Sequence, residues 1–250
     1  MVGKTKYTVS MSDFHFPLVQ RTTVATGTME YTFSTEGFEY HLIPGQNADF
    51  FNLNQPTMDA EGSKRAFSFS SPLRADKTFT VTMRMRETAF KQWWRDMPLG
   101  TPVRVTEAMG EMVLPADTAM PVVMLAGGIG VTPFHAMTEH VVTMNTGHQI
   151  YLFYSNRHVA DAPYHESFVR WSAEHPNIQY IPTLTNEPPT DWQGERGYIN
   201  AEMVRRHVPD TAKPLYCFAG PLAMMKSMRE LLLELGVAPQ NQRQEEFSGY

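Results

Sequence analysis

The hydrophobic period changes once along the chain, and that change restricts the fold more than any other feature. Before Pro115 the apolar residues recur at every second position in short runs. After it they form continuous blocks, each followed by a helical period. The clearest early run is Thr78–Arg86, where Phe79, Val81, Met83 and Met85 alternate with Thr80, Thr82, Arg84 and Arg86. Strict alternation puts one set inward and the other outward, as in a half-buried strand. Similar runs are Thr22–Val24, Glu30–Phe33, Phe38–Ile43, Ala66–Phe69 and Val103–Thr106, with Thr26-Gly27, Pro44-Gly45, Ser71-Pro72 and Leu99-Gly100 as punctuation. Many short strands at this spacing predict an antiparallel barrel or sandwich, with Phe90–Asp96 its one helix.

The later blocks are Val122–Ala126, Ile150–Tyr154, Ile178–Leu184 and Leu215–Ala219. Helical stretches follow at Pro133–Met144, Pro163–Glu174, Asn200–His207 and Pro221–Leu235, the last stopped by Gly236. Apolar strands alternating with helices predict a parallel sheet covered on both faces. The expected organisation is therefore two domains. An antiparallel β-barrel over residues 1–115 precedes an α/β, Rossmann-like parallel-sheet domain over 116–250, with the linker between Pro115 and Pro121.

Composition removes several function classes. A single cysteine, Cys217, cannot support an internal disulfide, a four-cysteine zinc site or an iron–sulfur cluster. The nine histidines include no pair spaced around a glutamate as in a zinc helix, so no metal site is expected. The longest apolar run, Val122–Phe134, is broken by glycines and too short for a bilayer. Met1–Ser10 is polar and reads as no signal peptide, which points to the cytoplasm. The net charge of −5 argues against nucleic acid. Residues 64–104 run the other way, with nine bases against three acids, a pattern suited to an anionic ligand or an acidic partner or simply to a solvated face.

The best-placed motif is Leu125-Ala126-Gly127-Gly128-Ile129-Gly130-Val131-Thr132-Pro133. It leaves a buried strand and opens a helix, where glycines let the backbone approach a phosphate and free N–H groups attract negative charge. Pro133 stands where the usual fingerprint has its third glycine, and alone such a turn also serves as a purely structural connection. Ala219-Gly220-Pro221 repeats the strand-to-helix arrangement, and two such ends in one parallel sheet lie on the same carboxyl edge. The second block ends in Ser155-Asn156-Arg157. An acid there would grip a ribose hydroxyl, whereas Arg157 suits a 2′-phosphate and tilts the reading toward NADPH over NADH. In Arg65-Ala66-Phe67-Ser68 the arginine and phenylalanine share a strand face opposite the serine, which fits a pyrophosphate clamp and a ring wall as well as a plain edge strand.

Taken together, the motifs resemble the ferredoxin–NADP⁺ reductase-like flavoproteins along nearly the whole chain. In order they are Pro44-Gly45-Gln46, Arg65-Ala66-Phe67-Ser68, Gly127–Pro133, Ala219-Gly220-Pro221-Leu222-Ala223-Met224 and the tail Glu245-Glu246-Phe247-Ser248-Gly249-Tyr250. The resemblance is to bacterial stand-alone reductases. It implies FAD in the barrel and NADPH or NADH in the α/β domain, with hydride passing from nicotinamide to flavin N5. Arg65 would then hold the FAD pyrophosphate, Phe67 pack on the flavin and Ser68 bond near N5. Met85 would run beside the FAD, and Thr88 would mark a phosphate site at a helix start. Gly128, Gly130, Thr132, Pro133, Gly220, Pro221 and Met224 would line the pyridine nucleotide, with Asn156 and Arg157. Glu246 and Phe247 would close over the flavin, with Ser68 and Glu246 nearest the reacting atoms. The implied acceptor is a separate acidic carrier, ferredoxin or flavodoxin. The alternatives are small acceptors (quinones, ferric complexes, free flavin) and an electron-relay subunit of an oxygenase. The chain departs from the family at Phe67, usually tyrosine, at Glu107-Ala108-Met109-Gly110, where relatives have Gly-Pro, and at Ala219, often cysteine. Cys217 is expected in the core, and His135 and His140 to pack or face solvent.

Overall fold

The computed structural model describes residues 14–53, 55–60 and 62–246. Six strands build the first sheet: β1 (Phe14–Ala25), β2 (Thr28–Ser34), β3 (Asn47–Phe51), β4 (Lys64–Ser68), β5 (Thr78–Arg84) and β6 (Pro102–Val105), with helix α1 (Ala89–Asp96) between the last two. Their order is β4-β3-β6-β1-β2-β5, every pairing antiparallel. The two outer strands meet through a bridge between Phe69 and Val81, so the sheet curls into the expected barrel. Its interior is aromatic: Phe16, Phe33, Phe50, Phe69, Phe79 and Trp94 are all fully buried. Trp94 reaches in from α1, and its indole N–H donates to Asn52 Oδ1 at 2.6 Å.

The second sheet holds β7 (Val122–Gly127), β8 (Ile150–Asn156), β9 (Ile178–Leu184), β10 (Glu195–Arg196), β11 (Leu215–Gly220) and β12 (Gln242–Glu246). The order is β10-β9-β8-β7-β11-β12, all parallel. Helices α2 (Thr132–Met144), α3 (His165–Glu174), α4 (Ala201–His207) and α5 (Leu222–Glu234) cover it. Val122, Met124 and Ala126 feed one core layer while Val123 and Leu125 feed the other, which is why β7 reads as an unbroken apolar block. Cys217 is fully buried in the first layer, and burial pushes its thiol up to about 12. It is a core residue, as expected.

The structure corrects some local expectations. Phe38–Ile43 is not a strand. Its amides go to loop partners (Phe38 N to Thr35 O, Ile43 N to Gln46 Oε1), while Phe38 and Tyr40 pack edge-on against Phe16. β1 is twelve residues long although only Thr22–Val24 reads as strand, because Pro17 and the polar Gln20-Arg21 hide the alternation. β3 and β12 carry no strand signal of their own.

A buried polar seam joins the domains. Arg74 forks onto Glu139 at 2.9 and 3.2 Å, and His135 Nδ1 donates to Ser70 O at 2.6 Å. Tyr164, in left-handed backbone conformation at φ 65°, stacks on His135 with 3.7 Å between centroids. Its hydroxyl donates to Glu30 Oε2 at 2.6 Å and also meets Thr82 Oγ1. Burial pushes the His135 imidazole down to about 4, so it is neutral at ordinary pH.

Candidate functional site

Chain order reverses beside β7: β8 and β9 extend to one side, β11 and β12 to the other. Open α/β sheets bind ligands at such a switch point, outside the carboxyl ends of the strands. A cleft of about 750 Å³ opens there, lined by Gly127, Gly128, Asn156, Arg157, Pro221 and Met224 among others. The barrel contributes Arg84 and Arg86 to its wall, so three arginines face one lining acid, Asp161. That charge, with the glycine turn, fits a phosphate-bearing nucleotide.

The other predicted residues of this edge work from behind the wall. Gly130 packs on β11, where a Cβ would lie 2.3 Å from Ala219 O. Thr132 is buried, and Pro133 enters α2 in its first turn, after a 3₁₀ turn over Gly128–Val131. Gly220 abuts Gly127 and Met224. These residues shape the backbone of the cleft, and Gly128, Asn156, Arg157, Pro221 and Met224 form its surface.

On the barrel side, Arg65 forks onto Asp59 at 3.0 and 3.2 Å and lies 5.1 Å from the Phe90 ring centroid, beside the start of α1. Thr88 caps that helix by accepting from Lys91 N. A guanidinium next to a capped helix start suits an anionic group. Phe67 is half-buried, its ring among those of Phe50, Phe90 and Trp94 at 5.4–5.8 Å, so it forms a wall of the barrel cluster. Met85 also packs against that cluster, its sulfur accepting from Tyr31 OH at 3.4 Å.

The sharpest feature joins the domains. Ser68 Oγ donates to Glu245 Oε1 at 3.0 Å, and Asn47 Nδ2 donates to the same oxygen at 3.1 Å. Glu245 Oε2 is buried without a partner. Burial pushes the carboxyl up to about 7, against the lowering effect of the two donors. The carboxyl beside Ser68 is therefore Glu245, where the sequence reading placed Glu246. Neighbours on β12 point to opposite faces, and Glu246 is exposed. Phe247 lies outside the described residues.

Residues 124–230 match the model of the oxidoreductase NAD-binding domain family. The ferredoxin NADP⁺ reductase of Neisseria gonorrhoeae, solved with FAD and NADP bound, superposes with a TM-score of 0.75 at 17% identity, over 94% of this chain and 98% of that one. The two-domain fold is that of this reductase, and the second domain matches the NAD-binding family. The Amycolatopsis cytochrome P450 reductase GcoB shares this fold at a TM-score of 0.79 and 20% identity, covering 95% of this chain and 70% of its own. In sequence the chain is 25% identical to the glycine betaine monooxygenase reductase subunit of Chromohalobacter salexigens, over 83% of this chain and 56% of that protein. The chain spans about half the length of the curated relatives it matches.

The Neisseria reductase of this fold holds FAD and NADP, and the residues present here fit both groups. Three features had no readable signal: Arg84 and Arg86 as cleft residues, Asn47 as a donor, and Glu245 in place of Glu246. The basic stretch 64–104 divides its charges among several roles, with Arg84 and Arg86 at the cleft. Arg74 is spent on Glu139, Lys91 is buried with its ammonium on Arg84 O, and Arg104 lies 3.6 Å over the Phe51 ring. Among the described residues no helix is long and apolar enough to cross a membrane.

Proposed function

We propose that this reductase oxidises NAD(P)H on FAD and delivers the electrons to a separate redox protein of the ferredoxin or flavodoxin type. The observation that carries the reading is the Ser68–Glu245 contact. It ties the serine of the barrel strand to the strand beside the cleft, so residues that would hold the nucleotide and residues that would hold the flavin converge there. When bound, FAD supplies the hydride acceptor and the capacity to release electrons singly. The residues of the chain bind and orient. Arg65 and the Thr88-capped helix start hold the FAD phosphates, Phe67 and Met85 wall the ring system, and the β7 and β11 turns hold the nucleotide. Glu245, which burial lets hold its proton up to about pH 7, keeps one carboxyl oxygen for a polar atom of a ligand.

One thiol in 250 residues cannot carry an iron–sulfur cluster, which supports an acceptor centre outside these residues. The resemblance to a monooxygenase reductase subunit and to a cytochrome P450 reductase supports a carrier that serves an oxygenase. Anaerobic absorption spectra test the first half of the reading. The flavin band should bleach within mixing time on adding NADPH or NADH, and a band that neither nucleotide bleaches would overturn it.

Arg157 at the end of β8, with Arg84 and Arg86 across the cleft, favours NADPH. Arg157→Ala should raise the KM for NADPH at least about tenfold, the loss of one charge-assisted contact, with kcat and the NADH constants nearly unchanged. Equal losses with both nucleotides would show that Arg157 does not read the 2′-phosphate.

A further inference from the structure

The Asn47–Glu245 hydrogen bond comes from barrel geometry that local sequence does not encode. Asn47 is the first residue of β3, and in the β3–β4 ladder it stands directly opposite Ser68. Cross-strand partners carry side chains on the same face about 5 Å apart, so the two donors form a pair aimed the same way. Both end on one oxygen of Glu245, which β12 brings in from the other domain. The Asn47 backbone is pinned as well: its N–H donates to Met109 O at 2.9 Å and its C=O accepts from Met109 N at 2.8 Å. Its amide rests against Gly110, whose φ is +107° and where a Cβ would sit 3.0 Å from Nδ2. The Glu107–Gly110 loop is thus shaped to let this amide through.

We propose that Asn47 is a positioning residue of the reductase site, fixing Oε1 of Glu245 against Ser68 so that Oε2 alone is left for the ligand. This rests on the function proposed above. A serine hydroxyl rotates and by itself leaves a carboxyl free to swing about its last torsion. A second donor fixed by the backbone removes that freedom and distinguishes the two oxygens. The groups facing Glu245 are Ser68 from β4 and Asn47 from β3, with Ala219 opposite it on β11. Its charged strand neighbours are Glu246, which is exposed, and Arg243, whose Nη1 is turned onto Val113 O. Among the described residues Asn47 is thus one of two side-chain donors holding the carboxyl, and losing it should show directly in the titration of Glu245.

The test uses the FAD-loaded full chain with ¹³C-labelled glutamate, with the Glu245 carboxyl signal assigned by its loss in Glu245→Gln. Asn47→Ala should move the titration midpoint of that signal up by about one pH unit, since a donor to the ionised form is gone. Asn47→Asp should move it further, because two carboxylates then share one site. Gly110→Ala, which disturbs the amide without changing Asn47, should move it in the same direction. The pH profile of flavin reduction, measured anaerobically, should shift with the carboxyl signal while the KM for the nucleotide stays nearly constant. An unmoved carboxyl midpoint in all three variants overturns the proposal, as does a moved midpoint with an unmoved rate profile. Failure of the broader functional reading looks different: wild-type flavin that no nucleotide reduces at any pH.

Discussion

Gly130→Ala is expected to destabilise the protein by about 3 kcal/mol or more and to weaken nucleotide binding on the order of 10²-fold. The reason is proximity. A Cβ at position 130 would lie 2.3 Å from Ala219 O, 2.6 Å from Ala219 C and 2.8 Å from Gly220 N. All three are backbone atoms of β11, so no rotamer change relieves the overlap. Either the 3₁₀ turn lifts away from the sheet or the β11 terminus moves, and in both cases the two glycine-marked ends that hold the nucleotide lose their register. Neighbouring glycines set the scale. At Gly127 a Cβ would meet Met224 Sδ at 2.3 Å, and a thioether can swing aside. At Gly128 nothing lies within 4 Å, and the cost is the left-handed φ of +53°, about 1 kcal/mol. Calorimetric Tm values and NAD(P)H titrations should therefore put Gly130→Ala far below Gly127→Ala and Gly128→Ala. FAD content should be retained in all three, because the residues proposed to hold the flavin are on the barrel. A wild-type Tm in Gly130→Ala would show that β11 yields freely.

The same glycines illustrate what a sequence reveals. A phosphate turn is local: strand, glycines and helix start are contiguous, so the motif at Gly127–Pro133 and its partner at Ala219–Pro221 can be read without the fold. The blocks of β7, β8, β9 and β11 are legible for a related reason, since a strand buried on both faces must be apolar throughout. Contacts set by register are not legible. Asn47 matters because β3 pairs with β4 at Ser68, and β3 is a strand only because its neighbours are. Choosing Glu245 over Glu246 needs the face of β12, a strand of Gln, Arg and Glu that exists by pairing with β11. Arg84 and Arg86 read as the outer face of a barrel strand, and so they are. What the alternation could not show is that the second domain builds a cleft against that face.

Glu245→Gln is expected to stabilise the protein by about 3 kcal/mol at pH 8 while slowing flavin reduction on the order of 10²-fold. In the folded protein burial raises this carboxyl from its ordinary 4.5 to about 7, so between those values the native state holds a proton that the unfolded chain has released. Stability then falls as pH rises through 4.5 to 7, and the full cost is present above 7. A neutral amide of the same shape never meets that cost, and at this chain length the gain amounts to a Tm rise of about 6–12 °C at pH 8. His135 works in the opposite direction. Its imidazole is held at about 4 against an ordinary 6.5, so below 6.5 the unfolded chain takes up a proton that the folded protein refuses. Stability from this group is complete above 6.5 and is lost as pH falls toward 4. Between about 4.5 and 6.5 the two slopes oppose each other, with His140 and His165, also lowered by burial, adding to the His135 side, so the wild-type Tm should climb less steeply there than the variant's. Glu245→Gln leaves the His135 slope alone, so its Tm should climb steadily from pH 4.5 to 6.5 and then level off. A wild-type profile as steep as the variant's in that window, or a variant no more stable than wild type at pH 8, would show that Glu245 is ionised and satisfied in the native protein. A variant both more stable and slower would place the buried carboxyl among the groups kept at a cost in stability for their chemistry.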